Sequence, residues 1–133
     1  RVGGLISEVI EKLDLYDTVV EVGLDFQVGI GGTRLSTAQR QKLAIARAVL
    51  KRPDVFILSE ATSALDGASQ SKVAANLMSE FEGRGLIWIL HRPSQSSLFD
   101  NVLVMQGGRI VESGTFDELN KPNAHLSELL AAE

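Results

Sequence analysis

The sequence has no cysteine among its 133 residues, and none of its 12 glycines is followed by lysine. The first absence excludes disulfides and thiolate metal sites, and it suits a cytosolic protein. The second excludes the phosphate-binding loop G-x-x-x-x-G-K-[ST] within this sequence. No uncharged apolar run reaches the roughly 18 residues that a membrane-spanning helix needs, and the first residues lack the apolar stretch of a signal peptide. Because the chain does not begin with Met, we expect it to be part of a longer protein.

The composition is that of a folded protein without a general affinity for polyanions. Hydrophobic residues make up 44% of the chain, which is enough for a core, and the length fits one domain or a large part of one. The net charge of −4 argues against nucleic acid as a partner. His91 and His125 have no clustered carboxylates that would suggest zinc, so we predict no metal ligands among the side chains.

Apolar residues recur at helical spacing in several segments. Ser36 with Gln39, and Thr115 with Glu118, form the sequence pattern of a capping box, in which each side chain bonds the other residue's backbone N–H. The two boxes predict a helix that runs to about Leu50 and a short helix after Thr115. Further helices are predicted over about 4–14, 67–82 and 124–132, and the glycine-rich segment 22–34 is predicted to be a loop.

Short apolar runs between the helices predict strands. Residues 55–58 are predicted to form a strand that is buried on both faces of a sheet, and residues 86–90 another buried strand. Residues 101–113 are predicted to form two strands around a Gly107-Gly108 turn. Strands that alternate with helices indicate an α/β fold with a mainly parallel sheet.

Polar residues follow both buried strands at their carboxyl ends, which is where ligands bind in such sheets. Ser59 and Glu60 follow the first strand, and His91 follows the second. We therefore predict that the three converge on one site, in which Glu60 could act as a general base on a water molecule. Position alone leaves two alternatives open. Glu60 could be a solvated or helix-capping carboxylate, and His91 could be a hydrogen-bonded structural residue.

Five motifs follow one another in an order that points to a known family. The segment LSTAQRQKLAIARAVLKRPDVFILSEATSALD (residues 35–66), followed by WILHRPS, resembles the nucleotide-binding domain of ATP-binding cassette (ABC) transporters. The resemblance covers the signature motif, its helix, the Walker B strand, the D-loop and the switch histidine. The tail GGRIVESGTFDEL resembles the exporter branch. The resemblance implies part of a P-loop NTPase-like domain, without the Walker A loop, the adenine-stacking aromatic residue and the Q-loop.

The resemblance also implies a role for each matching residue. Glu60 matches the catalytic glutamate that polarises the attacking water, and His91 matches the switch histidine that contacts the γ-phosphate. Asp66 matches the D-loop aspartate that communicates across the dimer. The signature segment would lie at a helix N-terminus and face ATP bound by the partner subunit, because backbone N–H groups there favour an anion. The residues of this segment are Leu35, Ser36, Thr37, Ala38 and Gln39.

Two departures from the family pattern weaken the expected site. Thr37 and Ala38 replace the two glycines of the usual LSGGQ, and a Cβ at each position would crowd the approach to a phosphate. Ser59 stands where the family usually has an aspartate that orders Mg²⁺, and a serine supplies no charge to the metal. Loss of a residue that orders a metal ion commonly lowers metal affinity or activity by about 10–100-fold.

For the intact protein, the resemblance implies binding and hydrolysis of ATP with Mg²⁺, which power translocation of a substrate. Residues 1–133 would be the carboxyl-terminal portion of one domain. A helical and signature region would extend over about 1–52, and the Walker B to carboxyl-terminal region over about 53–133. The implied partners are a second nucleotide-binding domain, identical or different, and a transmembrane domain, fused or separate, at the cytoplasmic face of a membrane. We expect this portion alone to bind ATP weakly and to be inactive.

Two alternatives to a transport ATPase stay open. A degenerate regulatory cassette would bind nucleotide with little hydrolysis, as Thr37, Ala38 and Ser59 suggest. A soluble ABC ATPase without a transport role is disfavoured by the exporter-like tail. In either case the missing upstream strand should leave apolar surface and a sheet edge uncovered, which predicts self-association or marginal stability.

Overall fold

Two compact units make up the chain. The computed structural model describes residues 2–133, and the side chains of residues 3–133. The N-terminal unit extends to Ile89, and the C-terminal unit is Leu90–Glu133. This division does not test the prediction of one domain with two regions that meet near residue 52, which stays a prediction.

The N-terminal unit alternates helices with two strands, as the α/β pattern predicts. Three helices precede the first strand, and a fourth helix connects the two strands. The helix predicted over about 4–14 and the helix predicted to start at Ser36 have bounds close to those observed. The same is true of both predicted strands. The elements are α1 (Val2–Lys12), α2 (Tyr16–Val22), α3 (Thr37–Leu50), β1 (Val55–Ser59), α4 (Gly67–Glu80) and β2 (Gly85–Ile89).

α2 is a helix that the sequence pattern does not predict. Its sequence, YDTVVEV, is rich in β-branched residues, which lose side-chain freedom in a helix and mask the helical pattern. The segment after α2 is irregular, as predicted, apart from a short 3-10 turn at Ile30–Gly32. Gly29 has a φ of 80° in this segment, a conformation that glycine adopts without steric cost.

β1 and β2 form a parallel pair, in which Val55 lies opposite Gly85 and Ser59 lies opposite Ile89. The predicted parallel pairing is therefore confirmed. The prediction that the strands are buried on both faces is wrong. Burial alternates along β1, where Phe56 is 8% exposed and Ile57 is 64% exposed.

The second strand shows the same one-sided burial. Ile87 and Ile89 are 54% and 52% exposed, whereas Trp88 between them packs partly buried against the core. An apolar run predicts burial but does not say whether one face or both are covered. In the described residues the helices pack on one face of the pair, so the other face stays open.

The core of the N-terminal unit lies between the helices and the inner face of the strands. Leu13, Leu58 and Val73 are 1%, 2% and 0% exposed, and full burial of such a side chain stabilises a fold by about 1.5–3 kcal/mol. The rings of Phe56 and Phe81 stack with their centroids 5.1 Å apart. The core residues are Val9, Leu13, Leu15, Ile45, Ala46, Val49, Phe56, Leu58, Leu65, Val73, Leu77 and Phe81.

Asp14 joins three helices just after α1. Lys72 of α4 donates a hydrogen bond to the Asp14 Oδ1 at 2.7 Å, and Lys42 of α3 donates to the Asp14 carbonyl at 3.0 Å. The bond from Lys72 lowers the pKa of Asp14 because it favours the ionised carboxylate. Asn76 adds a bond from α4 to the Lys12 carbonyl at 2.5 Å. Side chains of opposite charge thus fix α3 and α4 against the end of α1.

The C-terminal unit contains the predicted hairpin. β3 (Val102–Gln106) and β4 (Arg109–Gly114) pair antiparallel, and Gly107 and Gly108 have φ angles of 57° and 75° at the turn. Positive φ at both central positions fits the twist of a two-residue hairpin. Two helices follow, α5 (Phe116–Leu119) and α6 (His125–Ala132).

Two helix caps and a small core stabilise the C-terminal unit. Thr115 and Glu118 form the predicted capping box at α5. The Glu112 carboxylate of β4 accepts hydrogen bonds from the backbone N–H groups of His125 and Leu126, at 2.7 and 3.1 Å. It therefore caps α6 with a negative charge, as the helix dipole favours. The buried core residues are Val102, Val104 and Leu126.

Candidate functional site

Ser36 begins α3, as the sequence predicts. The Ser36 Oγ accepts a hydrogen bond from the Gln39 N–H at 3.1 Å, and the Gln39 Oε1 accepts one from the Ser36 N–H at 2.9 Å. The predicted capping box is confirmed. Gln39 Nε2 also donates to the Thr18 Oγ1 of α2 at 3.3 Å. Ser36 thus accepts from the N–H groups of Gln39 and Arg40. A ligand at this helix end would therefore meet mainly the N–H groups of Thr37 and Ala38.

The two residues that replace glycine in the signature segment have different surroundings. Thr37 is exposed, and its Oγ1 accepts a hydrogen bond from Arg40 at 3.3 Å. Ala38 is half-buried and packs against the core of the N-terminal unit. The expected crowding of a phosphate therefore depends mainly on Thr37. Leu35, half-buried, lines an apolar cavity of about 210 Å³ between α1, α2 and α3.

β1 carries Ser59 and Glu60 to the carboxyl end of the sheet. Ser59 is the last residue of the strand, and both side chains are exposed. Glu60 has a φ of 54°, in the left-handed region that costs a non-glycine residue about 1–2 kcal/mol. The chain turns out of the sheet at this residue. Glu60 thus begins the loop that leads to α4.

A residue that the sequence analysis missed holds this loop. The Gln41 Nε2 donates to the Glu60 carbonyl at 3.2 Å and to the Ser63 Oγ at 2.9 Å, and the Gln41 Oε1 accepts from the Ala64 N–H at 2.9 Å. Gln41 lies in α3, two positions after Gln39, the last residue of the signature segment. A direct contact therefore connects the signature helix with the loop that bears Glu60. No sequence signal reveals it, because the partners lie 19–23 positions further along the chain.

A second glutamine holds the same loop from the other side. Gln70 of α4 is 6% exposed, and its Nε2 donates to the carbonyl of Thr62 at 2.6 Å. Thr62 is itself 5% exposed. The loop is therefore fixed by one half-buried and one buried side-chain amide.

Asp66 closes the loop and caps α4. Its Oδ1 accepts a hydrogen bond from the Ser69 N–H at 2.7 Å. This backbone bond lowers the pKa of Asp66 because it favours the ionised form. The carboxylate thus has a structural role within the chain. Its contact with a second domain, which the resemblance implies, stays a prediction.

His91 follows β2 by two positions and is exposed. It belongs to the C-terminal unit, whereas Glu60 belongs to the N-terminal unit. The parallel register brings the carboxyl ends of β1 and β2 to one edge of the sheet. The predicted convergence of Glu60 and His91 depends on this register, and it stays a prediction.

The described side chains do not fit Mg²⁺ by themselves. Residues 2–133 contain no group of three or more His, Cys, Asp or Glu side chains that could hold a metal ion. Mg²⁺ takes six oxygen ligands and usually binds to one or two carboxylates together with substrate phosphates. The strand end offers the neutral hydroxyl of Ser59 and the carboxylate of Glu60. These two groups are too few to form a magnesium site.

Comparison with known proteins identifies the family of the chain. The family model described as "ABC transporter" matches residues 6–63, which include α3, β1 and Glu60. The ATP-dependent lipid A-core flippase of Pseudomonas fluorescens (strain Pf0-1) is 50% identical over 134 residues, which cover 96% of this chain and 22% of the flippase. The chain belongs to the ABC transporter family.

Other ABC transporters show the same similarity. The β-(1→2)glucan export ATP-binding/permease protein of Rhodopseudomonas palustris (strain BisB5) is 41% identical over 129 residues, which cover 97% of this chain and 21% of that protein. The solved structure of a bacterial Atm1-family ABC exporter with ATP bound superposes with a TM-score of 0.88 at 27% identity. It covers 97% of this chain and 23% of the exporter chain. These matches confirm the predicted exporter-type fold.

The ABC transporters that match this chain are longer proteins, and the chain matches only a part of each. The chain spans about a fifth of the length of the relatives it matches. Among the residues that the structure describes, no helix combines the length and the apolar character needed to cross a membrane.

Proposed function

We propose that the chain is part of the ATP-binding and ATP-hydrolysing domain of an ABC exporter, in which hydrolysis powers translocation of a substrate across a membrane. The observation that carries this proposal is the junction between α3 and the loop after β1. Gln41 connects the signature helix with the backbone of Glu60 inside one compact unit. The names of the relatives, which are a flippase and a glucan export protein, favour transport over an ABC ATPase without a transport role.

In this proposal the substrate is ATP with Mg²⁺, and phosphate oxygens hold the ion because the described side chains are too few to do so. Glu60 accepts a hydrogen bond from the attacking water and orients it towards the γ-phosphate. His91 donates a hydrogen bond to the same phosphate. Ser59 offers a neutral hydroxyl that can bond a water. Catalysis by these groups consists of positioning and electrostatic stabilisation.

The proposed nucleotide lies between this domain and a second nucleotide-binding domain, identical or different. The first N–H groups of α3 lack helical partners, and the helix dipole favours an anion there. They face the γ-phosphate of ATP bound by the second domain, with Leu35–Gln39 and Asp66 at the contact. A transmembrane domain, fused or separate, receives the resulting motion at the cytoplasmic face of the membrane.

Ser59 favours a second candidate function. A cassette without a carboxylate at this position would order Mg²⁺ and its waters poorly. Its metal affinity or activity would be about 10–100-fold lower. Such a cassette would bind nucleotide and regulate a competent partner domain, with little hydrolysis of its own.

Steady-state ATP hydrolysis by the full-length protein distinguishes these functions. We expect Glu60→Gln to lower turnover by about 100-fold or more, because it removes the base, while ATP binding is retained. Ser59→Asp should raise turnover by about tenfold. Wild-type turnover that is unchanged in Glu60→Gln contradicts the role of Glu60. Turnover near background in the wild type, restored by Ser59→Asp, supports the regulatory cassette.

A further inference from the structure

The carboxamide of Gln41 makes three hydrogen bonds to one loop. Its two N–H donors bond the Glu60 carbonyl and the Ser63 Oγ, and its oxygen accepts from the Ala64 N–H. An amide side chain has two donors and one acceptor oxygen. The three bonds together fix both the position and the orientation of the loop relative to α3.

The residue at the start of this loop has an unfavourable backbone conformation. Glu60 has a φ of 54°, and non-glycine residues hold such a conformation only where the surroundings impose it. Gln41 bonds the carbonyl of this residue, so it fixes the peptide plane that follows the Glu60 Cα. The Ser63 N–H also bonds this carbonyl, at 3.4 Å, but Gln41 makes the shorter bond and makes it from another element. The direction in which the Glu60 side chain leaves the backbone therefore depends on Gln41 together with the turn that follows.

We infer that Gln41 is a positioning residue for ATP hydrolysis, which acts by holding Glu60 in its left-handed conformation. The inference rests on the proposed role of Glu60 as the group that orients water. The same bonds make the position of Glu60 depend on the N-terminal part of α3, which carries the signature segment. A shift of α3 on nucleotide binding would thus reach Glu60 through the bonds of Gln41.

Gln70 provides a matched comparison in the same loop. It bonds the carbonyl of Thr62, two residues after Glu60, and it is buried, whereas Gln41 is half-buried. The Thr62 carbonyl also accepts from the Leu65 N–H, so loss of the Gln70 bond removes one of two buried hydrogen bonds and destabilises the fold. We therefore expect Gln70 to matter mainly for stability and Gln41 mainly for the rate.

The test compares Gln41→Met with Gln70→Met in the full-length protein, because methionine keeps the length of the side chain without its hydrogen bonds. We expect Gln41→Met to lower kcat by about tenfold or more, since a displacement of about 1 Å can cost about 100-fold. KM for ATP should stay within about twofold, because Gln41 acts on the water and not on nucleotide binding. Gln70→Met should lower the Tm more and kcat less than Gln41→Met does.

The outcomes separate this inference from the proposed function. If Glu60→Gln abolishes turnover but Gln41→Met leaves kcat within about twofold of wild type, only the role of Gln41 is wrong. A loss of kcat that follows the loss of Tm equally in both glutamine variants shows a merely structural role and also overturns the inference. If turnover is insensitive to Glu60→Gln, the proposed function itself fails.

A second substitution keeps the test valid if Gln41→Met does not fold. Gln41→Glu retains an acceptor for the Ala64 N–H but replaces the donor to the Glu60 carbonyl with an oxygen. It should therefore lower kcat as Gln41→Met does, whereas Ser63→Ala, which removes one partner only, should change kcat by less than about threefold. Equal rates in Gln41→Glu and the wild type would contradict the inference.

Discussion

The two units of the chain differ most in the size of their cores. In the N-terminal unit, two glutamine side chains bond a loop and a core of a dozen apolar residues supports it. In the C-terminal unit, carboxylates bond the N–H groups at helix starts, around a core of three buried residues. The N-terminal unit therefore holds a loop with an unfavourable φ by means of buried and half-buried neutral amides. The C-terminal unit relies on helix caps around a much smaller core.

This difference matters for function, because a positioned catalytic group needs a rigid support. Glu60 begins a loop that is fixed from α3 and from α4, so its conformation depends on the core of the unit. Substitutions in the core should therefore weaken the N-terminal unit most. Loss of a helix cap should weaken the C-terminal unit locally.

The largest loss of folding stability is expected from Leu58→Ala. Leu126→Ala in the C-terminal unit serves as the comparison. Both leucines are 2% exposed, but Leu58 belongs to the larger core. Loss of a buried leucine costs about 2–5 kcal/mol, and the cost is highest where the surroundings do not collapse into the cavity. Chemical denaturation followed by far-UV circular dichroism, which reports on the helices of both units, should show a larger loss of stability for Leu58→Ala. An equal loss in both variants would contradict the difference between the cores.

The next effect concerns the buried bond between Gln70 and Thr62. Gln70→Leu removes one of the two donors to the Thr62 carbonyl, which keeps the Leu65 N–H. The cost should lie at the upper end of the range of about 0.5–1.5 kcal/mol for one hydrogen bond, because the site is buried. The same denaturation experiment measures the loss, with the exposed position Ser71 of α4, as Ser71→Ala, for the control. If Gln70→Leu is as stable as the control, the loop does not depend on this amide.

A smaller effect is expected in the C-terminal unit from Glu112→Ala. The substitution removes the acceptor of the His125 and Leu126 N–H groups, and loss of a helix cap costs about 0.5–2 kcal/mol. Hydrogen exchange at these two amides should become faster. Glu128→Ala makes the same change of charge within α6 and should affect exchange less. Equal exchange in both variants would show that charge alone, without the cap, stabilises the helix.

The parts of the fold that the sequence predicts are those with local causes. The capping boxes at Ser36 and Thr115 and the turn at Gly107-Gly108 each depend on residues within a few positions of one another, and the structure confirms all three. The two-sided burial of β1 was wrongly predicted, because exposure depends on what packs against each face. An apolar run carries no information about that packing.

In the candidate site, too, features with local causes could be predicted from the sequence and features that depend on distant partners could not. The α3 cap could be predicted because it lies within one helical turn. The cap at Asp66 and the bonds of Gln41 could not, since an aspartate beside small residues has several possible partners and a helical glutamine has many. The φ of Glu60 has no signal in a sequence where neither Glu60 nor its neighbours are glycine. Only the three-dimensional contacts show how the loop holds that residue.

The smallest effect is expected from acid at two exposed helix-end carboxylates, Asp66 in the N-terminal unit and Glu133 in the C-terminal unit. The Ser69 N–H lowers the pKa of Asp66, and the Ser94 hydroxyl and N–H lower the pKa of Glu133, in each case because the bond favours the ionised form. A pKa that is lower in the folded state adds stability that is present above the unfolded value, 3.8 for Asp66 and 4.5 for Glu133, and that is lost as the pH falls through the folded pKa. The amide shifts of Ser69 and Ser94 in an NMR titration should therefore move below these values. Asp66→Asn should remove the acid transition at Ser69 and leave the one at Ser94, whereas transitions at or above the unfolded values would show that neither bond stabilises its unit.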